Sequence, residues 1–227
     1  MTNRIINSIF NPMRIASIIL FFSFFKVGSG QDAQSIYDEA YRQLNEGVNA
    51  AEVIQTLGSC IKMDKSFEEA YLLRAFIFYK LDDYIAAIRD YDSLLVINPH
   101  HEEGLKKRAL TKIRIEDFEG ALQDHNLRLE LAPNNASAFF DRAYCHGMLG
   151  NNEAAIEDYS MAIKINPYFT SAYTNRGVAL LNLFLEENNN RPPTIIEAEY
   201  ICEDFQKARK LGDHMASKYL QLYCTKY

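Results

Sequence analysis

Three prolines divide the middle of the chain at equal intervals. Pro99, Pro133 and Pro167 are evenly spaced, since 133 − 99 = 34 and 167 − 133 = 34. Because a proline cannot continue a helix, each one marks the end of a helical segment. A period of about 34 residues is typical of stacked helical hairpins, none of which can bury its apolar face alone. The spacing therefore predicts an all-α repeat protein.

Small and large apolar residues recur at the same period on both sides of each turn. Small residues let two antiparallel helices approach closely, and the larger residues fill the gaps beside that contact. The small positions are Ala75, Ala109, Ala143 and Gly177 on the first helices, and Ala87, Ala121 and Ala155 on the second helices. The larger positions are Tyr71, Leu105, Phe139 and Tyr173, then Tyr91, His125 and Tyr159, then Ile97, Leu131 and Ile165.

These columns resemble the tetratricopeptide repeat family. The resemblance implies a right-handed superhelical solenoid in which the first helices line a concave, peptide-binding groove. Extending the period predicts repeats at about 34–67, 68–101, 102–135, 136–169 and 170–212, followed by a capping helix at 213–227. The interval from Pro167 to Asp213 exceeds the period by 12, since 213 − 167 = 46, and we assign the excess to a polar, proline-containing loop at 186–194.

The N-terminal segment at 1–30 differs from the repeats. Arg4 and Arg14 precede an apolar stretch at 15–25, and small residues follow it up to Gly30. This order predicts a secretory signal peptide at 1–30, cleaved after Ser29 or Gly30, and therefore a periplasmic or secreted protein. The apolar stretch is short for a membrane span. The alternative is an uncleaved anchor that tethers the exported repeats; after cleavage we expect no membrane insertion.

The charge of the chain argues against a nucleic-acid partner. The formal net charge is −6, and removal of the segment at 1–30 takes away three cations and no acid, which leaves 21 − 30 = −9. A negative surface of this kind does not attract phosphate backbones or anionic lipid. We therefore expect a protein or peptide partner.

Opposite charges also follow the repeat. Arginines lie on the predicted first helices, and each is followed by an aspartate on the second helix at a fixed offset, 90 − 74 = 16 in the first case and 204 − 176 = 28 where the insertion intervenes. The pattern predicts an ion-pair ladder in which each arginine meets the aspartate of its own repeat or of the preceding one. The alternative is a row of arginines that binds an acidic ligand; on the ladder interpretation, Arg108→Ala costs stability more than binding. The ladder comprises Arg74, Arg108, Arg142, Arg176, Asp90, Asp124, Asp158 and Asp204.

No residue pattern indicates catalysis, a cofactor or a metal. The chain lacks a Ser/His/Asp motif, a glycine-rich phosphate loop and a Cys/His metal spacing. Cys60 and Cys145 fit apolar packing positions, which leaves Cys202 and Cys224 as the plausible disulfide pair. His125 and Arg128 replace apolar column residues, and His146 lies on the next helix. The two interpretations are a polar site at this point and hydrogen-bonded packing, which is the usual role of a histidine at a helix contact. We predict a non-enzymatic protein.

The resemblance also assigns residues to the groove by helical phase. Aromatic and aliphatic side chains at helical spacing form a stripe with cations between them, which is either an adhesive surface or packing between adjacent first helices. The assigned residues are Leu72, Phe76, Tyr79, Lys106, Leu110, Ile113, Arg114, Phe140, Tyr144, Met148, Thr174, Val178, Leu181 and Asn182.

Two functions remain open at this point. The first is an exported, non-catalytic adaptor that binds a peptide segment in the groove. The second is a structural scaffold subunit of a cell-envelope assembly that uses its convex face, its ends or the loop at 186–194.

Overall fold

The computed structural model describes residues 32–194 and 197–224, so the predicted signal peptide at 1–30 lies outside the described residues. The described part is built of helices and contains no strand. Its α-helices are α1 Ala33–Glu46, α2 Ala50–Met63, α3 Glu68–Lys80, α4 Tyr84–Ile97, α5 Glu102–Arg114, α6 Phe118–Leu131, α7 Ala136–Met148, α8 Asn152–Ile165, α9 Thr170–Glu187, α10 Glu199–Lys210 and α11 His214–Tyr219. A π-helical turn, Leu220–Cys224, ends the described chain.

The helices form two compact units, with the boundary after Gly104. In the first unit α1 packs on α2, α2 on α3, and α3 on α4. Its larger core cluster includes Val53, Leu57 and Cys60 of α2, all fully buried. A second cluster places the ring of Tyr91 against Ala75 and Ala87, as the columns of small and aromatic residues predict.

The second unit repeats this packing from residue 105 onward. Helices α7 to α11 each pack on the helix before them. The small positions meet in two clusters: Ala109 and Ala121 pack with Cys145, and Ala143 and Ala155 pack around Tyr159. The prediction of an all-helical fold built from helical hairpins is therefore confirmed within each unit.

The turns have the chemistry that the sequence predicts. Helices α4, α6 and α8 each end just before the proline of their repeat, Pro99, Pro133 or Pro167. Inside the hairpins, Asp82, Glu116 and Gly150 occupy one column and all have a left-handed backbone, with φ of 59°, 61° and 77°. The next helix is then capped by a side chain in two of the three cases, Asp83 at α4 and Asp117 at α6.

The first hairpin departs from the period by one residue. The period places Tyr41 in the column of small residues, since 75 − 41 = 34, but the fully buried small residue is Ala40, and Tyr41 is exposed. The left-handed residue is likewise Gly47, whose offset from Asp82, 82 − 47 = 35, exceeds the period by one. Val48 is the extra residue in this turn, and it shifts α1 so that an alanine makes the close helix contact.

The fifth hairpin accommodates its insertion partly in a helix. Helix α9 continues to Glu187, beyond the loop start predicted at Glu186. Phe184 and Leu185 pack against the last core cluster, which extends the apolar face of α9 and so lengthens the helix. In the same hairpin Gly177 replaces alanine because a Cβ there would lie 2.8 Å from the ring of Phe205.

The terminal segment covers the last hairpin. Ala216 and Leu220 are buried in the cluster that holds Ile201 and Phe205. The ring of Tyr219 stacks on Phe205 at 4.8 Å between centroids. A disulfide joins Cys202 of α10 to Cys224. This arrangement agrees with a capping role, since the open end of a helical stack must be shielded from water.

Candidate peptide-binding site

Each ladder arginine binds the aspartate of its own repeat through two hydrogen bonds. In the first unit Arg74 donates from Nε and Nη2 to Asp90, over 2.7 Å in both cases. In the second unit the corresponding distances are 3.1 and 2.5 Å for Arg108 with Asp124, 2.7 and 2.7 Å for Arg142 with Asp158, and 2.8 and 2.7 Å for Arg176 with Asp204.

The buried carboxylates are therefore neutralised within the protein. All four aspartates are buried, and the hydrogen bonds to them raise the pKa of Arg74, Arg142 and Arg176. Lys112 adds a third cationic donor to Asp124 at 3.0 Å. Guanidinium groups held in this way serve helix packing, because a ligand carboxylate would have to displace a bidentate partner.

In two of the ladder arginines, the third guanidinium nitrogen, Nη1, binds a residue of the preceding repeat. This contact was not predicted from the sequence. Arg142 donates from Nη1 to Asn126 at 2.8 Å, and Arg176 donates from Nη1 to Ser160 at 2.9 Å. Asn126 and Ser160 are also one period apart, so a polar column on the second helices was the available signal. The arginines thus link neighbouring hairpins of the second unit.

The polar residues of the third repeat form a buried cluster. Arg128 Nη1 donates hydrogen bonds to His125 Nδ1 at 3.0 Å and to Asp141 Oδ2 at 2.9 Å. His125 and Arg128 are almost fully buried, and His125 Nε2 and Arg128 Nε have no hydrogen-bond partner among the described residues. His146 is half-buried, its Nδ1 is likewise unpartnered within this part of the chain, and the charges that act on it are those of Asp158 and Arg142.

The electrostatics of this cluster oppose acid–base chemistry at neutral pH. Burial, reinforced by the positive charges of Arg128, Arg142 and Lys112, lowers the pKa of His125 to about 3. Burial also lowers the pKa of His146. A neutral, inaccessible imidazole fits a packing role better than that of a general base, which needs a pKa near the working pH.

In the first unit, the predicted groove residues are involved in local packing. Leu72, Phe76 and Tyr79 are half-buried. Leu72 and Tyr79 pack beside Ala75 and Tyr91, and the ring of Tyr79 lies 5.7 Å from that of Tyr84. The ammonium of Lys80 lies 5.3 Å from the centre of the Phe76 ring.

The predicted groove residues of the second unit separate into buried and exposed groups. Phe140 stacks on Phe169 at 4.7 Å and contacts Tyr159. Thr174 is buried and donates its hydroxyl to Asp213 at 2.5 Å, and Leu181 is buried in the last core cluster. Ile113 and Val178 are half-buried. The terminal segment therefore occupies the place that the groove prediction reserved for a ligand at Thr174.

Six of the predicted residues are exposed, and we call them the first-helix face. Leu110, Tyr144 and Met148 keep 41%, 37% and 51% of their surface in contact with solvent. They lie at matching positions, since Tyr144 follows Leu110 by one period and Met148 follows Arg114 by one period. The face consists of Lys106, Leu110 and Arg114 on α5, Tyr144 and Met148 on α7, and Asn182 on α9.

The two cysteines outside the disulfide are unreactive thiols. Cys60 and Cys145 are buried thiols. Burial raises the pKa of Cys60 to about 11 and that of Cys145 to about 12. Neither forms the thiolate needed for nucleophilic attack near neutral pH.

Metal-binding groups and membrane-spanning helices are absent from the described residues. Within 32–194 and 197–224, no three His, Cys, Asp or Glu side chains are grouped so that they could hold a metal ion. None of the helices in these ranges combines the length and apolar character that crossing a membrane requires.

Comparison with known proteins identifies similar repeats and similar folds. Residues 136–169 match the tetratricopeptide repeat family. The structure of YrrB, a tetratricopeptide repeat protein with an unusual peptide-binding site, is similar with a TM-score of 0.68 and 19% identity, over 84% of this chain and 92% of its own. No curated protein matches the sequence.

Two further solved structures have the same fold. MamA from Desulfovibrio magneticus RS-1, from position 41 to its end, is similar with a TM-score of 0.67 and 19% identity, over 80% of this chain and 96% of its own. A tetratricopeptide repeat protein from Parabacteroides merdae ATCC 43184 has a TM-score of 0.58 and 21% identity, over 84% of each chain. At these identities the likeness shows the fold.

Proposed function

We propose that this chain, which matches the tetratricopeptide repeat family over residues 136–169 and has a fold similar to that of YrrB, is an exported, non-catalytic adaptor that binds a peptide segment of another protein on its first-helix face. The observation that carries the proposal is the exposure of Leu110 and Tyr144 at matching positions of successive first helices, with Met148 exposed four residues after Tyr144. Aromatic residues and methionine that remain exposed in a row are typical of interfaces. The peptide-binding site described for YrrB supports this choice of ligand class.

The ladder supports the same assignment by elimination. Arg108, Arg142 and Arg176 are occupied by buried aspartates, so they hold the hairpins in place. The exposed apolar side chains of α5 and α7, Leu110, Tyr144 and Met148, take no part in the ladder. A rigid helical scaffold that presents an exposed apolar row needs little reorganisation on binding, which favours affinity.

A display experiment tests peptide binding. We expect the immobilised full chain to enrich segments from a library of short random peptides, and the selected peptides to bind at least about tenfold more weakly to the Tyr144→Ala, Met148→Ala double variant, as for interface anchors. Met161→Ala is the matched control, because Met161 is exposed to 37% on the second helix α8. Equal binding by both variants would refute the first-helix face as the site.

The export part of the proposal rests on two features. One is the N-terminal segment at 1–30 with its basic start and short apolar stretch. The other is the Cys202–Cys224 disulfide, because structural disulfides persist mainly in oxidising compartments. We expect the chain recovered outside the cytoplasm to begin at Gly30 or Gln31 by mass spectrometry and to contain this disulfide. A reduced, full-length chain confined to the cytoplasm would contradict export.

A scaffold role is the second candidate, and two exposed apolar side chains of α4 favour it. Val96 and Ile85 are exposed to 82% and 61%. The residues one period after them are glutamates, Glu130 and Glu119. Exposed apolar residues at positions that are charged in the next repeat indicate a contact surface. If Ile85→Glu together with Val96→Glu abolishes assembly while the Tyr144 and Met148 substitutions have no effect, the scaffold role is correct.

A further inference from the structure

We propose that two copies of this chain form an antiparallel dimer in which the exposed sides of their α4 helices pack together. This dimer does not depend on peptide binding, and it supplies a partner for the α4 residues that favour a scaffold role. The exposed residues of α4 form a single row, which we call the α4 stripe. The α4 stripe consists of Ile85, Arg89, Asp92 and Val96.

The spacing of the α4 stripe is that of a coiled-coil seam. Its members follow one another at intervals of four, three and four residues, since 89 − 85 = 4, 92 − 89 = 3 and 96 − 92 = 4. Because an α-helix turns by about 100° per residue, these four positions lie within about 60° of one another around the helix axis. Alternating intervals of three and four residues line up the side chains that meet a partner helix. All four members of the stripe can therefore contact the same partner helix.

The two outer members of the α4 stripe are apolar and exposed. Val96 keeps 82% and Ile85 keeps 61% of its surface in contact with solvent. The corresponding positions of the next two repeats carry charged residues, which are Glu119 and Glu130, then Glu153 and Lys164. The hairpin itself therefore does not require apolar residues here, and exposed apolar residues that packing does not require indicate a surface that a partner covers.

The two inner members of the α4 stripe have opposite charges. Arg89 is exposed, and it forms no ion pair with any residue of 32–194 or 197–224. Asp92 is also exposed and has an interaction within its own chain, but its two carboxylate oxygens can accept from more than one donor. The centre of the stripe thus offers one cationic donor and one anionic acceptor.

The order apolar, cation, anion, apolar is complementary to itself when two helices run antiparallel. About a twofold axis through the middle of the stripe, residues whose numbers add up to the same value lie opposite each other, and 85 + 96 = 181 while 89 + 92 = 181. Ile85 then packs against Val96 of the second copy, and Arg89 binds Asp92 of the second copy. A parallel pair would place each charged residue against its own kind, which is unfavourable. The stripe therefore fits a second copy of this chain in one orientation.

Sedimentation velocity of the full chain tests the dimer. Four residues per copy make a contact smaller than a standard interface, so we expect a weak dimer that forms reversibly as the concentration rises through the micromolar range. The double variant Ile85→Glu, Val96→Glu should dimerise at least about tenfold more weakly, as for interface anchors. Both replacements copy the residues of the next repeat, so the hairpin should still fold, which circular dichroism checks. Met63→Glu is the control, because Met63 is exposed to 47% on α2 of the same unit.

Thiol cross-linking tests the orientation without weakening the charge pair. One chain carries Ile85→Cys and a second chain carries Val96→Cys. In the antiparallel dimer these two positions are adjacent, whereas the two copies of residue 85 are about 16 Å apart along the axis. A bifunctional maleimide shorter than this distance should therefore join the two variants when they are mixed, and neither variant to itself. The parent chain should not react, because Cys60 and Cys145 are buried and the other two cysteines form the disulfide.

The outcomes separate the dimer from peptide binding. A chain that stays monomeric, an association that Ile85→Glu with Val96→Glu leaves intact, or cross-linking of either cysteine variant with itself would overturn the antiparallel α4 dimer. None of these results would affect peptide binding on the first-helix face. Conversely, the Tyr144→Ala, Met148→Ala double variant should dimerise as the parent does, and equal loss of dimer in this variant would overturn the assignment of the contact to α4.

Discussion

Arg142 donates from Nε to Oδ2 and from Nη2 to Oδ1 of Asp158, and both distances are 2.7 Å. The planar guanidinium matches the two carboxylate oxygens, and Nη1 remains available to bind Asn126 of the preceding repeat. One side chain thus joins the two helices of its own hairpin and the neighbouring hairpin. The same geometry in Arg176 shows that this linkage belongs to the repeat.

Removing this arginine should destabilise the fold. We expect Arg142→Ala to lower the free energy of unfolding by about 2–4 kcal/mol, because Asp158 would remain buried without its partner. Urea denaturation of Arg142→Ala, Asp158→Ala and the double variant measures the coupling between the two residues. An unchanged unfolding midpoint combined with lost peptide binding would show that the arginines serve a ligand.

The buried polar cluster of the third repeat should be replaceable by apolar residues. The second repeat has Tyr91 and Leu94 where the third has His125 and Arg128. We expect the double variant His125→Tyr, Arg128→Leu to raise the free energy of unfolding by about 1–4 kcal/mol, because it removes two buried nitrogens that have no partner in the described chain. Asp141 can be solvated, since its side chain is 32% exposed. A lower melting temperature would show that the cluster stabilises this repeat.

Acid should destabilise the protein through His125. Its pKa is lowered from 6.5 to about 3 in the folded state, so the unfolded state binds more protons between these values. Stability is therefore lost as the pH falls from about 6.5 towards 3, by about 1.4 kcal/mol per pH unit from this group alone. We expect the stability difference between the parent and His125→Tyr to change by about 2–3 kcal/mol between pH 7 and pH 4.5, in favour of the variant at low pH. Parallel pH profiles in chemical denaturation would contradict this.

Reduction of the Cys202–Cys224 disulfide should loosen the terminal segment. The bond joins residues at a sequence separation of 22. A loop of this length corresponds to about 3 kcal/mol of stabilisation. We expect a reductant to increase amide hydrogen exchange in α11 and the π-helical turn, while α7 and α8 stay protected. The double variant Cys202→Ser, Cys224→Ser should show the same exchange with or without reductant, which controls for effects on Cys60 and Cys145.

His101 should act as a helix cap of the kind that Asn135 provides in the next repeat. Its Nδ1 accepts the backbone NH of Gly104 at 3.0 Å, and Asn135 Oδ1 accepts the NH of Ala138 at 3.1 Å. His101→Ala should lower the free energy of unfolding by about 1 kcal/mol, and His101→Asn should retain most of it. Equal losses in both variants, measured by thermal denaturation, would exclude capping as the reason.

The repeat period made much of the local structure predictable. A hairpin needs small residues where its helices touch and a proline where it ends, so Ala109, Ala121 and Pro133 could be assigned from spacing alone. The ladder pairs were predictable for the same reason, although the choice between the two possible aspartates was open. The one-residue shift at Val48 could not be read from the period, because both registers place an acceptable residue in most columns.

The exposure of the candidate site depended on neighbours that the period does not specify. Phe140 and Tyr144 look equivalent as groove residues, yet Phe169 covers one and leaves the other exposed. Thr174 has the same helical phase as Lys106, but the capping residue Asp213 binds its hydroxyl. His125 and Arg128 were visible as substitutions, whereas their bonds to each other and to Asp141 required the packed α6–α7 contact.

The sequence by itself determined that the described chain forms helical hairpins and which columns pack, because those contacts recur at a fixed separation along the chain. Only the tertiary structure decided which side chains of the first helices reach solvent and which cations remain unpaired. Burial and pairing depend on the residues that approach from other helices, and these differ from one repeat to the next even when the period is the same.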